Sequence, residues 1–93
     1  MIRISPSAEA DMKSISSGLA QFSEDSGSKW LVGIRDLFDM LESHPDVGEF
    51  RAEFSISDCR SFTYGRYVVF FRRLTDGIEI ARIIHASRDL RNI

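Results

Sequence analysis

Three strand-like segments near the end of the chain, separated by turns too short for any crossover, constrain its fold more than any other feature. Arg60-Ser61-Phe62-Thr63-Tyr64 leads through Gly65-Arg66 into Tyr67-Val68-Val69-Phe70-Phe71-Arg72-Arg73. Leu74-Thr75-Asp76-Gly77 makes the next turn, and a last apolar run extends from Ile78 to His85. β-Branched and aromatic residues dominate these runs, and Asp-Gly is a strong hairpin signal. Parallel neighbours need a crossover of a dozen or more residues, so three runs joined this closely form an antiparallel meander. The middle run carries Val and Phe on both parities, the pattern of a strand covered on both faces.

The first half supplies the cover. Ile2-Arg3-Ile4 alternates as a short strand, and Ser5-Pro6 opens a helix with a capping serine and a proline at its first position. Ala8, Met12, Ile15, Leu19 and Phe22 recur at helical spacing and make one apolar stripe. Glu9 and Asp11 place negative charge in the early turns, favourable to the helix dipole. Gly18 marks either a close helix contact or a weak spot. The polar stretch Ser23 to Ser28 reads as the link to a second helix with the stripe Trp30, Ile34, Leu37, Phe38 and Leu41, which Pro45 stops. Glu49 to Ile56 reads as a short strand or extended segment. The order is β-α-α-β-β-β, an α+β fold in which a helical hairpin packs on a small antiparallel sheet. The side chains of Met12, Ile15, Leu19, Trp30, Ile34, Leu37, Leu41, Val69 and Ile84 are expected to be buried.

With 93 residues there is material for one core, and residues 1–93 read as a single domain without repeats or linker. No run reaches membrane-spanning length, no signal peptide is evident, and the lone Cys59 cannot form an internal disulfide. A cytoplasmic location is the expectation. The formal net charge of −2 conceals an imbalance: residues 1–50 carry −5, and residues 51–93 carry +3 from eight arginines and no lysine. Arginine suits forked contacts to carboxylates or phosphates. The basic half is therefore either a solvated sheet surface or a face for an acidic partner or nucleic acid.

Metal-ligand spacings, phosphate loops and dinucleotide fingerprints are absent, so no metal or cofactor is expected. A nucleophilic pair of Cys59 with His44 or His85 lacks any activating neighbour in sequence. The arginines Arg60, Arg66, Arg72, Arg73, Arg82 and Arg88, together with His85, are the chemically interesting set. Metal-free RNA cleavage needs an acid, a base and cations on the phosphate, and Arg60, Arg82 and His85 are the catalytic candidates for it. His85 and Arg82 have opposite parity, so a regular strand points them to opposite faces. The alternative is structural: His85, Arg88 and Asp89 tie down the chain end, Arg88 pairing with a carboxylate and Asp89 with an arginine.

The motifs, in order, resemble the ParE-type toxins of the RelE/ParE toxin–antitoxin superfamily. Ser5-Pro6, Ala8-Glu9 and Asp11 resemble the family's opening; Pro45 and Gly48 stand where it has a Pro-x-x-Gly loop. Arg60-Ser61-Phe62 and Gly65-Arg66-Tyr67-Val68-Val69-Phe70-Phe71 resemble its strands. Arg82-Ile83-Ile84-His85-Ala86-Ser87-Arg88-Asp89-Leu90 resembles its close, with Ala86 for the usual glycine and Phe71 where tyrosine is common. The resemblance implies a RelE/ParE-like fold and a toxin of a type II system, associated with plasmid stabilization. It implies a hetero-oligomer with a cognate antitoxin, through which alone nucleic acid would be contacted. RelE-like members cut messenger RNA on the ribosome; ParE-like members inhibit DNA gyrase. The resemblance implies that RelE-like cleavage would use a C-terminal tyrosine, alone or with a histidine, and general-base lysines; the last tyrosine here is Tyr67, and residues 51–93 hold no lysine. That favours a gyrase inhibitor without chemistry of its own. A ribosome-dependent endoribonuclease is the alternative, and a relic that only binds a partner is the third reading.

Overall fold

Ser5 is where the chain turns from strand to helix, and it stitches three elements together. The computed structural model describes residues 1–53 and 58–88. Strand β1 (Ile2–Ile4) ends at Ser5, whose Oγ accepts from the Ala8 N–H at 3.0 Å and caps helix α1 (Pro6–Ala20). The same hydroxyl donates to the Ala81 carbonyl at 2.8 Å, and the Ser5 N–H donates to Ile80 O. The cap therefore fixes the start of α1 on the last strand as well as satisfying an orphan helix donor.

Helix α2 (Ser26–Ser43) begins earlier than its sequence suggests, so Ser26 to Ser28 are helical rather than part of the link. The reason is packing. Gly27 is buried where α2 starts, and a Cβ there would collide with the Ser16 carbonyl of α1. Gly18 has no atom within 4 Å of a built Cβ, so the close-contact glycine is Gly27. Phe22 lies beyond the end of α1 and is 88% exposed, so the apolar stripe stops at Leu19.

Strands β2 (Glu49–Phe50), β3 (Cys59–Tyr64), β4 (Tyr67–Leu74) and β5 (Gly77–His85) complete a five-stranded sheet in the order β1-β5-β4-β3-β2. The meander is antiparallel, as expected. The first strand, however, joins β5 in parallel, with Ile2 opposite Ile78 and Ile4 opposite Ile80. The two helices and the meander together make the long return that a parallel pair needs. Gly65 turns β3 into β4 with φ 59°, a conformation of low cost only for glycine.

Both helices cover one face of the sheet. Met12, Ile34, Leu37, Phe38 and Leu41 pack there on Val69, Phe71, Ile78, Ile80 and Ile83. Ile15 and Trp30 are partly buried against this core, and Leu19 is half-buried, so the expected stripe is right in phase but shallower at its outer end. A second buried cluster, Cys59, Val68, Phe70, Ala81 and Ile84, lies on the opposite face. Val68 to Phe71 are all buried, as a strand apolar on both parities requires. Burying each of the largest of these side chains contributes about 1.5–3 kcal/mol.

Candidate functional site

The registers of β4 decide whether the candidate residues can meet. Arg60 is opposite Phe71, Arg82 opposite Phe70, and His85 opposite Tyr67. Residues directly opposite share a face, and successive residues alternate, so Arg82 faces away from Arg60 and His85. Arg60 and His85 share a face but sit four positions apart along β4, on strands two spacings apart, or about 10 Å. The three do not converge.

Arg82 is already engaged. Its Nε and Nη2 donate to Asp11 Oδ2 and Oδ1 at 2.8 and 3.1 Å, a forked pair between β5 and α1. Asp11 Oδ2 also accepts the Ile83 N–H at 2.8 Å. Two local features create this arrangement. Strand β1 ends opposite Ile80, leaving the later edge of β5 without a neighbour. The register then shifts between Phe70 and Phe71, so that Ala81 is the extra residue of a β-bulge that re-aims Arg82 and Ile83. Asp11 closes that open edge. Donating to the Asp11 carboxylate raises the pKa of the Arg82 guanidinium above its ordinary value, against burial, which lowers it. Asp11 is thus a clamp, where its sequence position suggested a dipole partner.

The closing motif is arranged differently from expectation. His85 is exposed, its ring edge-on to Tyr67 at 5.4 Å. Its Nδ1 accepts the Ser87 N–H at 3.1 Å and lies 2.7 Å from Ser87 Oγ. An amide can only donate, which assigns the proton of the neutral ring to Nε2. The Arg88 side chain is exposed and finds no carboxylate among the described residues; its backbone N–H donates to His85 O. The ion pair expected for Arg88 is therefore absent among them, and Asp89 lies outside the described residues.

Arg60 sits toward the other side of the sheet, on β3 beside the edge strand β2. Its guanidinium lies 5.6 Å from the Phe50 ring centroid and 4.0 Å from Asp46, which pairs more closely with Arg73 at 3.0 Å. Arg60 Nε is buried without a partner. On the face away from the helices, Arg72 pairs with Glu79 at 2.9 Å.

Cys59 is buried in the far-face cluster, while His44 ends α2 with Nδ1 3.3 Å from Met40 O. No nucleophilic pair forms. Burial pushes the Cys59 thiol up, with Arg51 opposing. A raised folded value favours the neutral thiol in the native state. That contribution to stability is present below the unfolded value near 9.0 and is lost as pH rises through the folded one. Folded protein at pH 8 is expected to react with iodoacetamide far more slowly than the urea-unfolded chain, measured by mass shift; equal rates would contradict the buried thiol. Among the described residues no group of His, Cys, Asp and Glu is placed to hold a metal, and no helix is long and apolar enough to cross a membrane.

One feature lay outside sequence reasoning. Trp30, Tyr67 and His85 form an edge-on aromatic row, with Trp30 and Tyr67 centroids 5.6 Å apart. It borders a pocket of about 600 Å³ between the helical hairpin and the β3–β4 turn. Each ring sits on a different element, so no sequence spacing betrays the row.

The model of the ParE toxin of the type II toxin–antitoxin system parDE matches residues 2–90. Among curated proteins none matches. A solved structure described as the chromosomal ParDE toxin–antitoxin system from P. aeruginosa is similar in fold, with a TM-score of 0.60 at 20% identity over 90% of this chain and 92% of that one. The match over nearly the whole length, together with the helical hairpin on its five-stranded sheet, shows that this chain belongs to the ParE toxin family of type II toxin–antitoxin systems.

Proposed function

We propose that this toxin acts by binding and inhibiting DNA gyrase in the cytoplasm, without catalysis or cofactor, and is neutralised by a co-encoded antitoxin in a hetero-oligomer. The observation that carries the reading is the dispersal of Arg60, Arg82 and His85, with Arg82 consumed by the Asp11 clamp. Phosphodiester cleavage needs an acid, a base and a cation around one phosphate. Three groups on two faces do not make that enclosure.

In this reading the antitoxin covers the apolar surface left by the helices and the sheet edge. Val32 on α2, Val47 after it and Phe50 on the edge strand β2 are all exposed. Val47 also lines a groove with Met40 and Pro45. An added helix or strand would cover such a surface.

Purified chain titrated into a gyrase supercoiling assay, beside a ribosome-programmed transcript cleavage assay, tests the target. Loss of supercoiling with intact transcript is expected. Cleaved transcript with normal supercoiling would replace this reading by the endoribonuclease one and return Arg60, Arg82 and His85 to catalytic roles.

A further inference from the structure

We propose that the pocket between the helical hairpin and the β3–β4 turn is a docking site for an acidic segment of a protein partner that carries one apolar or aromatic anchor. Its volume of about 600 Å³ lies in the range of ligand pockets. Phe22 and Trp30 come from the helical side, Tyr64, Arg66 and Tyr67 from the β3–β4 hairpin, and His85 from the end of β5.

The chemistry of the walls selects the occupant. Aromatic rings form most of the lining, and Phe22 stands at the rim 88% exposed, an apolar surface that the chain itself leaves in water. A single exposed ring is ordinary; one beside an aromatic pocket extends a continuous apolar patch. Besides the Tyr64 and Tyr67 hydroxyls, which can donate or accept, the polar side chains at the pocket are donors. Arg66 is exposed at the turn and has no acidic partner among the described residues. His85 Nδ1 is engaged by Ser87, which leaves its Nε2–H to donate. None of the lining residues is acidic. Apolar walls with a donor rim and no acceptor charge fit an apolar side chain flanked by carboxylates.

A nucleic-acid strand would also stack on aromatic rings. It is disfavoured because Glu24 and Asp25 follow Phe22 on the loop, and a strand continuing along the helices would meet the surplus acid of the first half. A peptide can place its acids on the Arg66 side alone. The inference deepens the partner reading and rests on it only for the existence of such a segment.

Trp30 is the single tryptophan and lines the pocket, so its emission reports occupancy. The probe is an acetylated, amidated hexapeptide Phe-Leu-Glu-Asp-Glu-Asp, with its acids on one side of the apolar anchor. Comparison probes are its counterpart with lysine at the four acidic positions and an oligothymidine hexamer. A saturable change in emission with the acidic peptide is expected, weakened about tenfold by Arg66→Ala, the scale of one charge-assisted contact. Phe22→Ser should weaken it as well. Both residues are exposed, and unchanged melting temperatures will show that the variants fold. Failure of the acidic peptide to saturate would overturn the proposal. So would equal binding of the lysine peptide, tighter binding of the oligonucleotide, or unaltered affinity in both variants. A negative supercoiling assay would remove the gyrase reading and leave this titration to be decided independently.

Discussion

Asp11→Ala lowers the melting temperature by about 10–25 °C. The substitution removes three acceptor contacts at once: two from the Arg82 guanidinium and one from the Ile83 N–H. The Asp11 and Arg82 side chains are only 15% and 28% exposed, so water replaces those contacts poorly. A stranded charge and a stranded amide together destabilise by about 2–4 kcal/mol, below the full figure for a fully buried pair because the site is partly wet. For a domain of this size each kcal/mol moves the midpoint by about 4–8 °C. Arg82→Ala should do less, about 1–2 kcal/mol, because Asp11 keeps the Ile83 amide and gains water. Asp11→Asn should fall between the two. Thermal unfolding of the three variants and of the Asp11→Ala/Arg82→Ala double variant measures the coupling directly. If Asp11→Ala melted within about 3 °C of the parent, roughly 0.5 kcal/mol, the clamp would contribute nothing that surface charges do not.

Two glycine-to-alanine substitutions, both in helices, should move stability in opposite directions. Gly18 lies inside α1 with open space where a Cβ would stand. Alanine there recovers the helix propensity that glycine forfeits, a gain of about 0.8–1.0 kcal/mol. Gly27 lies in the first turn of α2 against the α1 backbone, and a Cβ would overlap the Ser16 carbonyl oxygen. Backbone cannot swing aside as a side chain does, so the helices must separate, at about 1–3 kcal/mol for overpacking. The propensity gain offsets only part of that. Opposite shifts in urea midpoint, with unchanged slopes, are the expected result. A stabilising Gly27→Ala would show that the helical hairpin does not depend on this close approach.

The meander was legible in the sequence because its signals are local: alternation, β-branched runs and turns at Gly65 and Asp76. The helical hairpin is legible from two apolar stripes; of the two readings of Gly18 the weak spot stands, and the close helix contact is made by Gly27. The candidate site was less so. His85 and Arg82 were separated correctly by parity, since the strand is regular between them and the bulge lies before Arg82. Among the described residues Arg88 has no carboxylate partner, and the forked ion pair near the end of β5 is the one at Arg82.

Sequence by itself determined the order of both helices and of every strand but the two-residue β2, the α+β class and the family resemblance, because periodicity, capping and turn chemistry act over a few residues. Only the tertiary structure decided that β1 runs parallel to β5, that Asp11 clamps the edge of β5, and that Trp30, Tyr67 and His85 line one pocket. The Asp11 and Arg82 side chains meet across 71 positions. A contact of that span has no period to read. It arises where β1 stops short and a bulge leaves an amide facing a helix, and the carboxylate is held there because a buried donor without an acceptor is more costly than a surface charge kept in place.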